Sequence, residues 1–146
     1  MKTQLGCMVI LFAIICSLNI LLAQEKDTAV GYVIRQETAI QKDGPGPHHG
    51  TGKVTEANFF DYIKDFKLSF RKCVLHIGAS IGSHRQEVDE IYYFTSGSGT
   101  MIINGNKIDV KPGDAVLTRS GSTHECQQTG SDDLVIIVTY EKEKKK

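Results

Sequence analysis

The sequence has no tryptophan, three prolines and no net charge, with 17 lysines and arginines against 17 aspartates and glutamates. A neutral chain sets up no bulk field that recruits nucleic acid or anionic lipid, so no nucleic-acid partner is expected. The basic residues are dispersed except in the closing KEKKK, which reads as a solvated end. Cysteine is scarce as well. Of the four present, Cys7 and Cys16 lie in the N-terminal apolar run, leaving Cys73 and Cys126. Two thiols do not make a disulfide scaffold. Helical periodicity is sparse and no internal repeat is visible. A chain of 146 residues has room for one domain with a real core and not for two.

The longest apolar run opens the chain. Lys2 is the only charge before Gln24, the run continues to Ala23, and the polar QEKD follows. A positive start, an apolar centre and a small residue before Gln24 form the layout of a secretory signal. Residues 1–23 are therefore expected to be a signal peptide, and the domain to be exported to a periplasmic or extracellular compartment. Leu21 is larger than signal peptidase usually accepts three residues before its cut. The alternative is a retained membrane anchor, since the run nearly reaches the ~18–20 residues that span a bilayer. A lipoprotein signal is disfavoured, because no small residue immediately precedes Cys16.

Residues 24–67 read as an irregular N-terminal extension. Tyr32, Val33 and Ile34 offer a short strand. In QKDGPGPHHGTG (41–52) the glycines and prolines forbid regular structure, and His48 and His49 sit among them. They are read as a rigid surface turn, with a lid over a site, a substrate contact or an extra ligand as alternatives. Phe59, Phe60, Ile63 and Phe66 fit a helical turn or an apolar plug. From Leu68 to Tyr140 the pattern becomes about seven short strands separated by turn signals, which close as a sandwich or small barrel. Asn104–Gly105 marks a tight hairpin. The unbroken LVIIV (134–138) suggests a strand buried on both faces. Residues 141–146 form a charged tail.

Strand alternation says which side chains share a face. His84 and Gln86 point one way; so do Glu90, Tyr92 and Phe94, and so do His124, Cys126 and Gln128. If these faces turn inward, His84, Gln86, Glu90 and His124 meet at one interior spot. Tyr92, Phe94 and Cys126 would wall it. His76 reads as a surface strand histidine or, alternatively, as a further pocket-lining group. If even positions of its strand face inward, Cys73 points out and does not bond Cys126. Imidazole, amide oxygen and carboxylate together suit a divalent first-row metal.

Gly78 to Gly97 reads G-x5-H-x-Q-x3-E-x6-G, and Gly113 to Gln128 reads G-x5-R-x-G-x2-H-x3-Q. These stretches resemble the two motifs of the cupin superfamily, G-x5-H-x-H-x3-4-E-x6-G and G-x5-P-x-G-x2-H-x3-N. The resemblance spans about Leu68 to Tyr140 and is closest to small single-domain bacterial cupins. It implies an all-β double-stranded β-helix, a jelly-roll barrel, with one divalent metal ion at its mouth (Mn, Fe, Zn or Ni). Carried over by position, His84, Glu90 and His124 match family ligands. Gln86 stands where a second His is usual, Arg119 where Pro is, and Gln128 where Asn is. An amide oxygen is a weaker, harder ligand than imidazole.

The resemblance implies a small polar molecule, sugar-like or acid-like, as substrate or ligand. Metal-assisted isomerase, lyase or oxygenase chemistry is one class of function; a non-catalytic ligand-binding module is the other. A homodimer is expected, as in many small cupins.

Overall fold

The computed structural model describes residues 31–142. The expected signal peptide (1–23) and the last four residues of the tail lie outside them. Residues 31–35 belong to a separate unit from the rest and hold neither helix nor strand, so the strand expected at Tyr32–Ile34 does not form. The second unit, from Gln36 onward, carries among its described residues one helical turn, α1 (Glu37–Ile40), and ten strands. These are β1 (Lys42–Pro45), β2 (Lys53–Asn58), β3 (Leu68–Leu75), β4 (Ser80–Arg85), β5 (Glu90–Ser96), β6 (Gly99–Ile103), β7 (Asn106–Val110), β8 (Ala115–Thr118), β9 (Thr123–Gln128) and β10 (Leu134–Glu141). No helix among the described residues is long and apolar enough to cross a membrane.

The strands form two antiparallel sheets, one in the order β1-β2-β3-β10-β5-β8 and the other β4-β9-β6-β7. Both contribute to one core. Leu75, Tyr92, Phe94, Leu134, Ile136 and Val138 come from the larger sheet, and Ile81, Met101 and Cys126 from the smaller. Each large apolar side chain fully withdrawn from water stabilises the fold by roughly 1.5–3 kcal/mol. The hairpin between β6 and β7 turns at Asn104 (φ 50°) and Gly105 (φ 82°), both in the left-handed region that such two-residue turns require.

Several expectations change. The segment before Leu68 is not wholly irregular: β1 and β2 extend the larger sheet past β3. Pro45 is tolerated in β1 because that strand is the sheet edge, where a missing N–H breaks no ladder. The phenylalanines of the connection form the plug rather than a helix, with Phe59 on Phe70 and Phe60 on Phe66 at centroid distances of 5.6 and 5.7 Å. In β10, Leu134, Ile136 and Val138 are buried, while Val135 and Ile137 are only half-buried. The strand runs through the middle of the sheet, and its outer face is only partly covered by the described residues.

The inward face of β3 is the odd one: Ser69, Cys73 and Leu75 are buried. Cys73 therefore points into the core, against expectation. The register explains it, since Cys73 lies opposite Ile136 of β10, whose inward face is set by its own apolar alternation. Cys73 and Cys126 are nonetheless both free thiols.

Candidate functional site

Residues of β3, β4, β5 and β10, with His48 and the 86–88 connection, line a cavity of about 390 Å³ at one end of the sandwich. His84 enters from β4, Glu90 from the start of β5 and His124 from the start of β9. Each offers one ligand atom, and the three atoms lie within 4.8 Å of one another. His124 and Glu90 are buried, and His84 is half-buried.

A β-bulge makes this convergence possible. Ile81 pairs with Cys126, and both are buried in the core. Three residues later His84 pairs with His124, only two residues back along β9. Strict alternation from Ile81 would turn His84 outward. The extra residue reverses its side, as bulges next to functional sites commonly do.

The hydrogen bonds set the tautomer of one histidine and leave other groups wanting. His84 Nδ1 lies 2.9 Å from the Gly82 carbonyl, to which only its N–H form can donate. Its Nε2 then keeps a lone pair for a ligand bond. Burial holds His84 below the ordinary imidazole range, the Gly82 bond opposing, which favours the neutral form that metals bind. His124 Nε2 lies 3.0 Å from the Tyr92 hydroxyl and 3.3 Å from Glu90 Oε2. His124 Nδ1 and Glu90 Oε2 are buried without a hydrogen-bond partner. Buried polar atoms left unpaired are costly, and a cation among two imidazoles and a carboxylate would satisfy the carboxylate. The residue set fits one divalent ion.

Gln86 lines the same cavity. Its backbone is pinned to the second motif: its N–H donates to the Ser122 carbonyl at 2.9 Å, and its carbonyl accepts from Gly121 N–H at 2.7 Å. Asp89 reinforces that link, accepting from Ser120 N–H at 2.8 Å and pairing with Arg119 at 3.0 Å. The Ser120 bond, then Arg119, hold the Asp89 carboxyl below its usual range. Arg119, at the family's proline position, thus helps staple the two motifs. Gln128 is buried and bonds Gly78 N–H, Gly130 O and Asp132 O, which is a structural task.

The other expected wall residues are placed differently. Tyr92 reaches the site from below through His124, and burial raises its hydroxyl well above the ordinary range. Phe94 and Cys126 sit deeper in the core and do not line the cavity. His76 lies away from it, past the end of β3, between Asp133 (2.9 Å) and Thr55 (2.8 Å). The parity that turns Cys73 inward is the one that sends His76 elsewhere.

That same parity brings in Arg71, a group the sequence reading missed. Arg71 lines the cavity, with Nη2 3.6 Å from Glu90 Oε1 and Nη1 3.8 Å from Glu56 Oε1. Both are longer than hydrogen bonds, and Nε is buried without a partner. Burial alone would lower its pKa; neighbouring Tyr92, Glu56, Glu90 and Tyr140 raise it overall. An arginine in mid-strand SFRKCVL was the available signal, but its face was not readable without the β10 register. His48, from the Gly/Pro loop, also lines the cavity, and its ring stacks on His84.

A two-sheet jelly roll thus carries at one end a His-His-Glu cluster that could hold a metal ion. The Cupin_2 family, described as "Cupin domain", matches residues 71–140. The chain belongs to the cupin superfamily. It is 31% identical over 110 residues to an oxalate-binding protein of Thermotoga maritima, covering 73% of this chain and 91% of that relative. A crystal structure described as a predicted oxalate decarboxylase, also from Thermotoga maritima, superposes with a TM-score of 0.68 at 27% identity, covering 76% of this chain and all of the other. The polyketide cyclase RemF of Streptomyces resistomycificus shares the fold at a TM-score of 0.63 and 18% identity, over 77% and 80% of the two chains.

Proposed function

We propose that this chain is an exported, metal-binding cupin that holds a small carboxylate-bearing molecule, such as oxalate, between the metal and Arg71. The observation that carries the reading is a guanidinium short of hydrogen bonds beside the His84–Glu90–His124 cluster, in one small cavity. His84, Glu90 and His124 are the ligands, and the Gln86 amide oxygen is the fourth. A divalent ion held there supplies Lewis-acid polarisation of a bound oxygen. Glu90 is the one carboxylate among these ligands, so an ion held there keeps positive charge that an anionic oxygen can meet directly. Arg71 presents a planar fork that matches a carboxylate. The oxalate-binding relative supports the same chemistry. The apolar run at residues 1–23 supports export.

A non-catalytic role is the second reading, and specific placements favour it. His76 pairs with Asp133 away from the cavity, and the buried Tyr92 hydroxyl is bonded to His124, a ligand in this reading, so neither is free for acid–base work.

The test is titration of the purified protein with Mn²⁺, then of the loaded protein with oxalate. One ion per chain, lost in His84→Ala, and metal-dependent oxalate binding are expected. Arg71→Gln should keep the metal and weaken oxalate roughly tenfold or more, as loss of a charged hydrogen-bond partner does. Protein that takes up no metal under any condition overturns the site. Release of formate or carbon dioxide from oxalate would decide for an enzyme over a binding module.

A further inference from the structure

The Gly/Pro loop that precedes the cupin motifs is built into the site. The His48 and His84 rings stack with centroids 3.6 Å apart and planes 6° from parallel. His48 and His49 both have positive φ, 54° and 62°. Two successive non-glycine residues in the left-handed region are strained, and such strain persists only where the surroundings over-determine it.

The surroundings here are close backbone contacts with β4. Gly82 N–H and Gly50 N–H both donate to the Pro47 carbonyl, at 2.9 and 3.0 Å. Ser80 N–H donates to the Thr51 carbonyl at 2.9 Å, and Thr51 N–H to Ser80 Oγ at 2.8 Å. A Cβ on Gly82 would strike the His48 carbonyl, and one on Gly46 or Gly50 would strike the Ser80 carbonyl. The loop is thus held tightly against the bulged segment of β4, and the His48 ring emerges over His84. His48 and His49 are both exposed to solvent, and of the two it is the His48 ring that lies on His84.

His84 needs this support more than the other cluster residues. His124 and Glu90 are buried, and packing fixes them; His84 is half-buried on a bulge, held by its Gly82 bond. We propose that His48 is a positioning residue for His84: its ring, clamped by the strained loop, lies flat on the imidazole and holds it in the orientation that binds metal. The inference rests on the reading of His84 as a ligand. It makes the segment outside both motifs part of the metal site.

Two variants separate ring support from other roles. His48→Gly removes the ring while its backbone accepts φ 54° without strain, so the protein should melt at or near the wild-type temperature. Its Mn²⁺ and Ni²⁺ affinities should fall roughly tenfold, the usual scale for losing a group that orients a ligand. His48→Phe keeps a flat ring without nitrogen and should bind both ions within about twofold of wild type. Unchanged affinity in His48→Gly overturns the proposal. So does His48→Phe as weak as His48→Gly, which would make a ring nitrogen the active element. If the wild type binds no metal, the ligand reading fails, but the proposal keeps a readout. The side-chain NMR signals of His84 should report one ring orientation in wild type and His48→Phe, and exchange between orientations in His48→Gly. The same ring order in all three overturns it.

Discussion

His84 and His124 face each other across the β4–β9 pair with ring centroids 4.3 Å apart, because β4 spends one residue more than β9 in getting there. The bulge holds Gly82, whose N–H and missing Cβ also admit the His48 loop. One local irregularity therefore aims a ligand and seats the loop that lies over it.

Gly82→Ala should disturb both. Its Cβ meets backbone atoms that cannot rotate away, so we expect a loss of about 1–3 kcal/mol in chemical denaturation, the range for overpacking. Mn²⁺ binding should weaken alongside. Wild-type stability together with wild-type affinity would show that the loop does not press on the bulge.

Gln86→His completes the family's usual first motif. Imidazole is the better ligand for late first-row metals, so Ni²⁺ and Zn²⁺ affinity should rise at least about tenfold relative to Mn²⁺. Isothermal titration with the three ions measures the ratio. A ratio equal to wild type would place the Gln86 side chain off the ion.

Burial pushes the Cys73 and Cys126 thiols up to about 12. In the unfolded chain they ionise near the ordinary 9.0. Between these values the unfolded state binds fewer protons than the native state, so stability falls as pH rises through that window and is unaffected below it. Thermal melts from neutral pH upward should show the decline. The Cys73→Ala/Cys126→Ala variant should show a shallower one. Equal slopes would remove the thiols as its cause. At pH 8 neither thiol of the native protein should react with iodoacetamide.

The larger sheet's outer face exposes Ile91, Tyr93 and Leu117, with Ile91 directly opposite Leu117 and Tyr93 opposite the half-buried Ile137. Contiguous apolar surface of this kind commonly marks an interface. We expect a homodimer through this face. Light scattering after size exclusion should give twice the chain mass, falling to a monomer in Tyr93→Lys/Leu117→Lys. A monomeric wild type at high micromolar concentration would end that expectation.

Much of the fold was legible because its signals are local. The Asn104–Gly105 turn needs only two residues with positive φ, and the turn glycines of both motifs carry similar information. The inward runs Glu90–Tyr92–Phe94 and His124–Cys126–Gln128 follow from alternation on unbroken strands and are all buried. The β3 face was misread because SFRKCVLHI carries polar and apolar groups on both parities. On that face His76 is an alternative pocket residue, which the structure places away from the cavity, and Arg71 goes unnoticed.

By itself the sequence determined the strand-rich fold, the two motifs and the identities of His84, Glu90 and His124, since turn chemistry and period-two patterning are properties of short segments. Only the tertiary structure decided which face of β3 turned inward, that β4 bulged to aim His84, and that Arg71 and His48 joined the cavity. Those outcomes depend on register between strands far apart in the chain, and on a backbone approach so close that only glycine fits.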